Sequence, residues 1–121
     1  MVIKNNTNTL QQCVYKIPCR CCDKYYVGQT SKTLNTRIKQ HKYSVRTGQQ
    51  NNAIFIHKET LHHNIDWDNS TEIYKCRGFI NRNVIESSII KFKKDDIMNL
   101  SEGLYKLDPF IIQNIITLLK L

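Results

Sequence analysis

Three groups of side chains stand at spacings that could do chemistry. The first is a set of thiols and imidazoles: Cys19, Cys21 and Cys22 crowd into four positions, and His57, His62 and His63 follow downstream. Cys19-x2-Cys22 with His57-x5-His63 is close to the usual spacing of structural zinc, in which four ligands close a tetrahedral shell and leave no position for water. Such an ion pins a loop rather than catalyses. His62 can substitute for His63, and Cys21 for one of its neighbours. The second group is a pair of phenols, Tyr15 and Tyr26, in two short β-type segments. The third is Arg37 with His41, one helical turn apart, so that both can address one phosphate, the guanidinium as a fixed bidentate cation and the imidazole as hydrogen-bond partner or acid/base aid.

The elements that must position these groups are legible in the periodicity. Leu10 to Ile17 alternates like a half-buried strand that Pro18 ends, and Lys24 to Val27 resumes β-type residues before Gly28, which makes a hairpin with the thiols in its turn. Ser31 or Thr33 can cap a helix to about Arg46 with Leu34, Ile38, His41 and Val45 on one stripe, closed by Gly48. A shorter helix follows from Asn51 or Asn52 through His57, and Thr71 to Cys76 alternates as a third strand. From about Asn81 to Lys94, Ile85, Ser88, Ile89 and Phe92 share a helical face. Asp108 and Pro109, an N-cap with proline at N1, open a last helix with Ile111, Ile112, Ile115, Ile116 and Leu119 available for burial. The order β-β-α-α-β-α-α predicts an α/β unit with a small, three-stranded, mainly antiparallel sheet flanked by helices.

Composition narrows the function. A chain of 121 residues, 40% hydrophobic and 23% charged, suffices for one core and argues against a multidomain enzyme. It has no apolar run of membrane-spanning length and no apolar leader, so the expectation is a soluble, intracellular protein without a membrane partner. Lysine and arginine exceed the acidic residues by 18 to 10, a formal charge of +8, which favours a polyanionic partner and salt-sensitive association. Five cysteines, an odd number with three in one loop, fit a metal site in a reducing compartment better than a disulfide framework.

Taken in order, Cys13-Val14-Tyr15, Tyr26-Val27-Gly28, Arg37 with His41, Glu86 and Asn99 resemble the motif series of the GIY-YIG nuclease superfamily. The likeness is closest to the endonuclease domain of Penelope-like retroelements, through Val14 to Cys19, Tyr26 to Thr30, Arg37 to His41, His63 to Trp67 and Glu102 to Pro109. The first triplet begins with Cys13 where the family has glycine, and Gln29 follows the second where many relatives have lysine; Lys32 is a substitute cation. The resemblance implies a domain over residues 10–108, preceded by an extension at 1–9 and followed by an apolar C-terminal helix at 109–121.

The resemblance also implies a function: a DNA endonuclease that hydrolyses phosphodiester bonds by nicking, with Tyr15, Tyr26, Arg37, His41, Glu86 and Asn99 as its site residues. A tyrosine takes or relays the proton of the attacking water, which calls for a phenol pKa below the ordinary value near 10, supplied by Arg37 and a divalent ion. Glu86 holds that ion, Mg²⁺ with Mn²⁺ as the alternative, and the amide of Asn99 supports the site. Among the thiols and imidazoles the resemblance favours Cys19, Cys22, His57 and His63 as ligands of a structural Zn²⁺. DNA is the partner, a reverse transcriptase domain of the same polyprotein a second one, and the nucleus the compartment. The competing reading is a zinc-stapled DNA-binding module without cleavage. In the bland readings the two tyrosines are sheet aromatics and Glu86 is the i+4 ion-pair partner of Arg82.

Overall fold

The computed structural model describes residues 12–121. The extension expected at residues 1–9 and the first two positions of the expected first strand lie outside them. The described chain is α/β. Strands β1 (Cys13–Pro18), β2 (Tyr25–Thr30) and β3 (Thr71–Lys75) form one antiparallel sheet in the order β2-β1-β3. Four α-helices accompany it among the described residues: α1 (Leu34–Arg46), α2 (Ala53–Leu61), α3 (Phe79–Phe92) and α4 (Pro109–Leu119).

The central strand is buried on both faces, unlike the half-buried strand its alternation suggests. Cys13, Tyr15 and Ile17 face a core completed by Ile38 of α1 and Ile54 of α2, whereas Val14 faces Val27, Ile89 of α3 and Ile112 and Ile116 of α4. The reason is tertiary: α3 and α4 cover the face that alternation leaves for solvent. Of the face expected on α3, Ser88 and Ile89 are buried and Ile85 is half-buried, whereas Phe92 is 45% exposed.

Boundaries follow local chemistry. The Thr33 side chain accepts from Thr36 N, which selects it over Ser31 as the cap of α1. Asn52 caps α2 in the same way, and α2 runs a turn beyond His57, to Leu61. Asp108 accepts from Phe110 N at 2.7 Å to open α4. Gly28 does not stop β2. It sits inside the strand opposite Tyr15, and a Cβ there would lie 2.5 Å from the Tyr15 hydroxyl, so only glycine lets the Tyr15 ring lie across the neighbouring strand. On the other side of β1 the pairing with β3 is irregular between Val14 and Tyr15, which places a bulge beside the same tyrosine.

The open edge of β2 is covered by the segment after α3. Met98 N donates to Tyr25 O at 2.9 Å, and the Asn99 side chain imitates a strand partner, accepting from Val27 N at 2.9 Å and donating to Val27 O at 2.7 Å. An edge satisfied in this way cannot template pairing with another chain.

Candidate functional site

The hairpin register brings the two phenols together. Tyr15 pairs with Gly28 and Ile17 with Tyr26, so Tyr15 and Tyr26 are diagonal neighbours on one face of the sheet, their ring centroids 6.4 Å apart. Helix α1 crosses that face. Its inward stripe carries His41, whose ring lies 5.8 Å from that of Tyr15 and 5.1 Å from that of Tyr26, with the Tyr15 hydroxyl 2.7 Å from His41 Nε2. Arg37, one turn earlier and half-buried, donates from Nη1 to Gln40 Oε1 at 3.0 Å.

Electrostatics fixes the protonation of this group. Burial, and then the charge of Arg37, lower the His41 pKa to about 3, so the ring is neutral. Burial, and then Tyr26, push the Tyr15 phenol upward, against an opposing pull from Arg37. Burial and then Glu86 do the same to Tyr26, again with Arg37 opposing. The lowered phenol expected from the sequence is therefore absent from the protein's own electrostatics: Arg37 acts in the anticipated direction, but desolvation outweighs it. Between a neutral phenol and a neutral imidazole the Tyr15 hydroxyl and His41 Nε2 share one hydrogen bond, the hydroxyl donating when the ring proton sits on Nδ1 and accepting when it sits on Nε2.

Glu86 on α3 is half-buried, and burial raises its carboxyl to about 7 with Arg37 pulling it down. Its influence on both tyrosines and the influence of Arg37 on it join it to the same electrostatic unit. The ion pair with Arg82 is not what holds it. Arg82, itself buried, donates from Nε to Gln29 Oε1 at 2.9 Å and from Nη1 to Gln12 Oε1, tying α3 to the sheet one turn before Glu86. Gln29 thus has a structural partner, while the Lys32 side chain is exposed. Asn99 spends both amide groups on Val27, between Tyr26 and Gly28, and so ties the segment after α3 to the edge of β2.

A cleft of about 450 Å³ opens beside this group, with Tyr26, Arg37, His41 and Asn99 in its wall. Gln49 and Asn51 of the α1–α2 loop also line it, and neither is among the site residues expected from the sequence. The one sequence signal for them is Gly48, whose φ of +72° ends α1 and fixes the direction in which the loop leaves.

The Cys/His cluster lies in the hairpin turn and around α2. Cys19 Sγ is 3.3 Å from His63 Nδ1, Cys22 Sγ is 3.6 Å from His57 Nε2, and the two ring nitrogens are 3.3 Å apart. With zinc–sulfur bonds of about 2.3 Å and zinc–nitrogen bonds of about 2.0–2.1 Å, a tetrahedron has sulfur–nitrogen edges of about 3.6 Å and nitrogen–nitrogen edges of about 3.3 Å. All four ligand atoms fall within 4.8 Å of one another, so these residues could hold a metal ion such as zinc. Burial, with His63 and Lys24, lowers the His57 pKa and keeps its ring in the neutral form that ligates metals. The geometry also decides between the alternatives. Cys21 is exposed and its sulfur accepts from Asn64 N at 3.4 Å, and His62 takes the left-handed cap position after α2, with φ of 57°, outside the cluster. No family model, no curated protein and no solved structure matches this chain.

Proposed function

We propose that the chain is a metal-dependent DNA endonuclease that nicks phosphodiester bonds, of the GIY-YIG type and akin to the endonuclease domain of Penelope-like retroelements. The observation that carries the reading is the contact of Tyr15 with His41 at 2.7 Å, with Tyr26 and Arg37 around it, since residues from two strands and a helix converge on one point. The net charge of +8 supports a polyanionic substrate.

In this reading Arg37 binds a non-bridging oxygen of the scissile phosphate. Its charge is a cause of the lowered His41 pKa, so a bound phosphate anion weakens that effect and makes His41 a better proton acceptor. As the water oxygen bonds to phosphorus and the ester bond on the far side breaks, the water's proton passes by way of the Tyr26 hydroxyl at the cleft wall to the neutral imidazole of His41, and the fully buried Tyr15 hydroxyl, 2.7 Å from Nε2, steadies the imidazolium that forms. Tyr26 closes the other side of the imidazole. Glu86 would hold Mg²⁺ or Mn²⁺: a half-buried carboxyl raised to about 7 gains from a nearby cation, and one carboxylate with water and substrate oxygens is an ordinary Mg²⁺ donor set. When bound, such an ion supplies positive charge to the phosphoryl oxygens and the leaving alkoxide. Zn²⁺ at Cys19, Cys22, His57 and His63 staples the hairpin turn to α2. A reverse transcriptase domain in the parent polyprotein and a nuclear location complete the proposal. No helix among the described residues is long and apolar enough to cross a membrane.

One observation favours a second reading, a zinc-stapled DNA-binding module without cleavage: burial holds both phenols in their protonated form. Plasmid nicking separates the two. Zinc-loaded protein is expected to convert supercoiled DNA to open circle with Mg²⁺ and not without it, and Tyr15→Phe and Glu86→Ala each to lower the rate at least about 100-fold, the order of loss for a removed transition-state group. A folded, zinc-loaded chain that shifts DNA but never nicks it would establish the binding module instead.

A further inference from the structure

We propose that Gln49 and Asn51 read a nucleobase: their side-chain amides form the wall of the cleft facing Arg37 and His41, and there they hold the edge of a base adjoining the phosphate that Arg37 binds. The inference rests on the nucleic-acid reading of the site and adds to it a source of sequence preference.

The first argument is the chemistry of the cleft. Arg37 is the one charged side chain among the described residues that line it; Gln49, Asn51 and Ser101 supply neutral hydrogen-bonding groups. A cleft that gripped only the sugar–phosphate backbone would want further cations, because phosphate contacts come chiefly from lysine and arginine. An amide instead presents a donor and an acceptor side by side, which matches the adjacent donor and acceptor on the edge of a base and above all N6 and N7 of adenine. A volume of about 450 Å³ is in the range of small-molecule sites, suited to one nucleotide rather than a whole duplex.

The second argument is commitment. Asn52, beside these two, is taken: its Oδ1 caps α2 by accepting from Phe55 N at 3.0 Å. Asn99 is taken by Val27. Gln49 and Asn51 have no such structural duty among the described residues, and both are exposed.

The third argument is preorganisation. Gly48 N donates to Val45 O and Gln49 N to Ser44 O, each at 3.1 Å, the paired bonds of a Schellman motif, with Gly48 in the left-handed position it requires. Asn52 N then donates to Gln49 O at 3.0 Å, closing the connection onto the start of α2. Gln49 and Asn51 are thus carried on a turn tied at both ends, and ordering them on a ligand costs side-chain freedom alone.

The test is selection of bound duplexes from a randomised oligonucleotide pool by the zinc-loaded chain without added Mg²⁺, compared with Gln49→Ala/Asn51→Ala. The wild type is expected to enrich one base at one position by about 5- to 100-fold, the discrimination of a bidentate amide–base contact. The double variant loses that enrichment while the slope of log affinity against log salt stays at the wild-type value, because the lost contacts are uncharged. Asn51→Asp, which replaces a donor by an acceptor, shifts the enriched base toward cytosine, whose N4 donates. Wild-type selection without any preferred base, or a preference that survives the double variant, would overturn the proposal. Neither result touches the nuclease reading, which stands or falls on Mg²⁺-dependent nicking by the same preparation.

Discussion

Gly28→Ala is the sharpest single perturbation of the site. A Cβ at position 28 would meet the Tyr15 hydroxyl at 2.5 Å, Tyr15 Cζ at 2.6 Å and Tyr26 Cε2 at 2.9 Å. Carbon atoms at rest in a core sit about 3.5–4.0 Å apart, so the Tyr15 ring must retreat by about 1 Å. It has little room, being fully buried and bonded to His41. Overpacking costs about 2 kcal/mol and a strained Tyr15–His41 hydrogen bond about 1 kcal/mol, while the stiffer backbone of alanine returns about 0.7 kcal/mol. The net loss is about 2 kcal/mol, or roughly 8 °C of melting temperature at about 2.1 cal/mol/K per residue over 121 residues. Urea and thermal unfolding of the zinc-loaded protein, followed by circular dichroism, measure it. Nicking should fall about 100-fold as well, the usual effect of a 1 Å displacement of a reacting group. The control is Tyr15→Val, which removes the ring: in that background alanine at position 28 should cost clearly less, since only the 2.9 Å approach to Tyr26 Cε2 is left to relieve. A loss below about 0.5 kcal/mol, or equal losses in the two backgrounds, would refute the argument that Gly28 exists to seat Tyr15.

The remaining expectations are shorter. Metal analysis should find one Zn²⁺ per chain, unchanged in Cys21→Ser and His62→Ala and absent in Cys22→Ser. Cobalt substitution should give the absorption of a tetrahedral site with two thiolates, and chelation should lower the melting temperature because the closed site contributes to folding. Unfolded histidine protonates near 6.5 and His41 in the fold near 3, so the unfolded chain holds the extra proton between those values. The stability that neutral His41 contributes is complete above pH 6.5 and is lost as pH falls toward 3, at up to about 1.4 kcal/mol per unit. Unfolding curves of wild type and His41→Leu between pH 7 and 4 should differ by that slope, and parallel curves would remove the argument. Asn99→Ala deletes both side-chain bonds to Val27 and should cost about 2 kcal/mol in denaturant unfolding, without altering the zinc content.

Much of this protein was written in local sequence. The order of elements, the Asp108 and Pro109 start of α4 and the close of α1 at Gly48 follow from short-range preferences: a side-chain oxygen for orphan N–H groups, a fixed φ for proline, a positive φ for glycine. The types and spacing of Cys19, Cys22, His57 and His63 were equally visible, because metal ligands are few in kind and their chemistry does not depend on fold.

What sequence left open was set by contacts between residues far apart in the chain. Spacing alone left Cys21 beside Cys22 and His62 beside His63 as alternatives, and the geometry of a turn meeting residues 35 to 44 positions later brings together the same four that the resemblance favours. Gly28 reads locally as a strand breaker and is in fact the floor beneath Tyr15, a role defined by the strand opposite. Alternation in β1 implied one buried face, and only the packing of α3 and α4 buried the other. The protonation of Tyr15 and His41 belongs to the tertiary structure entirely. Residue identity sets the starting values near 10 and 6.5, whereas desolvation by the assembled core, acting with the charge of Arg37, decides which group holds the proton.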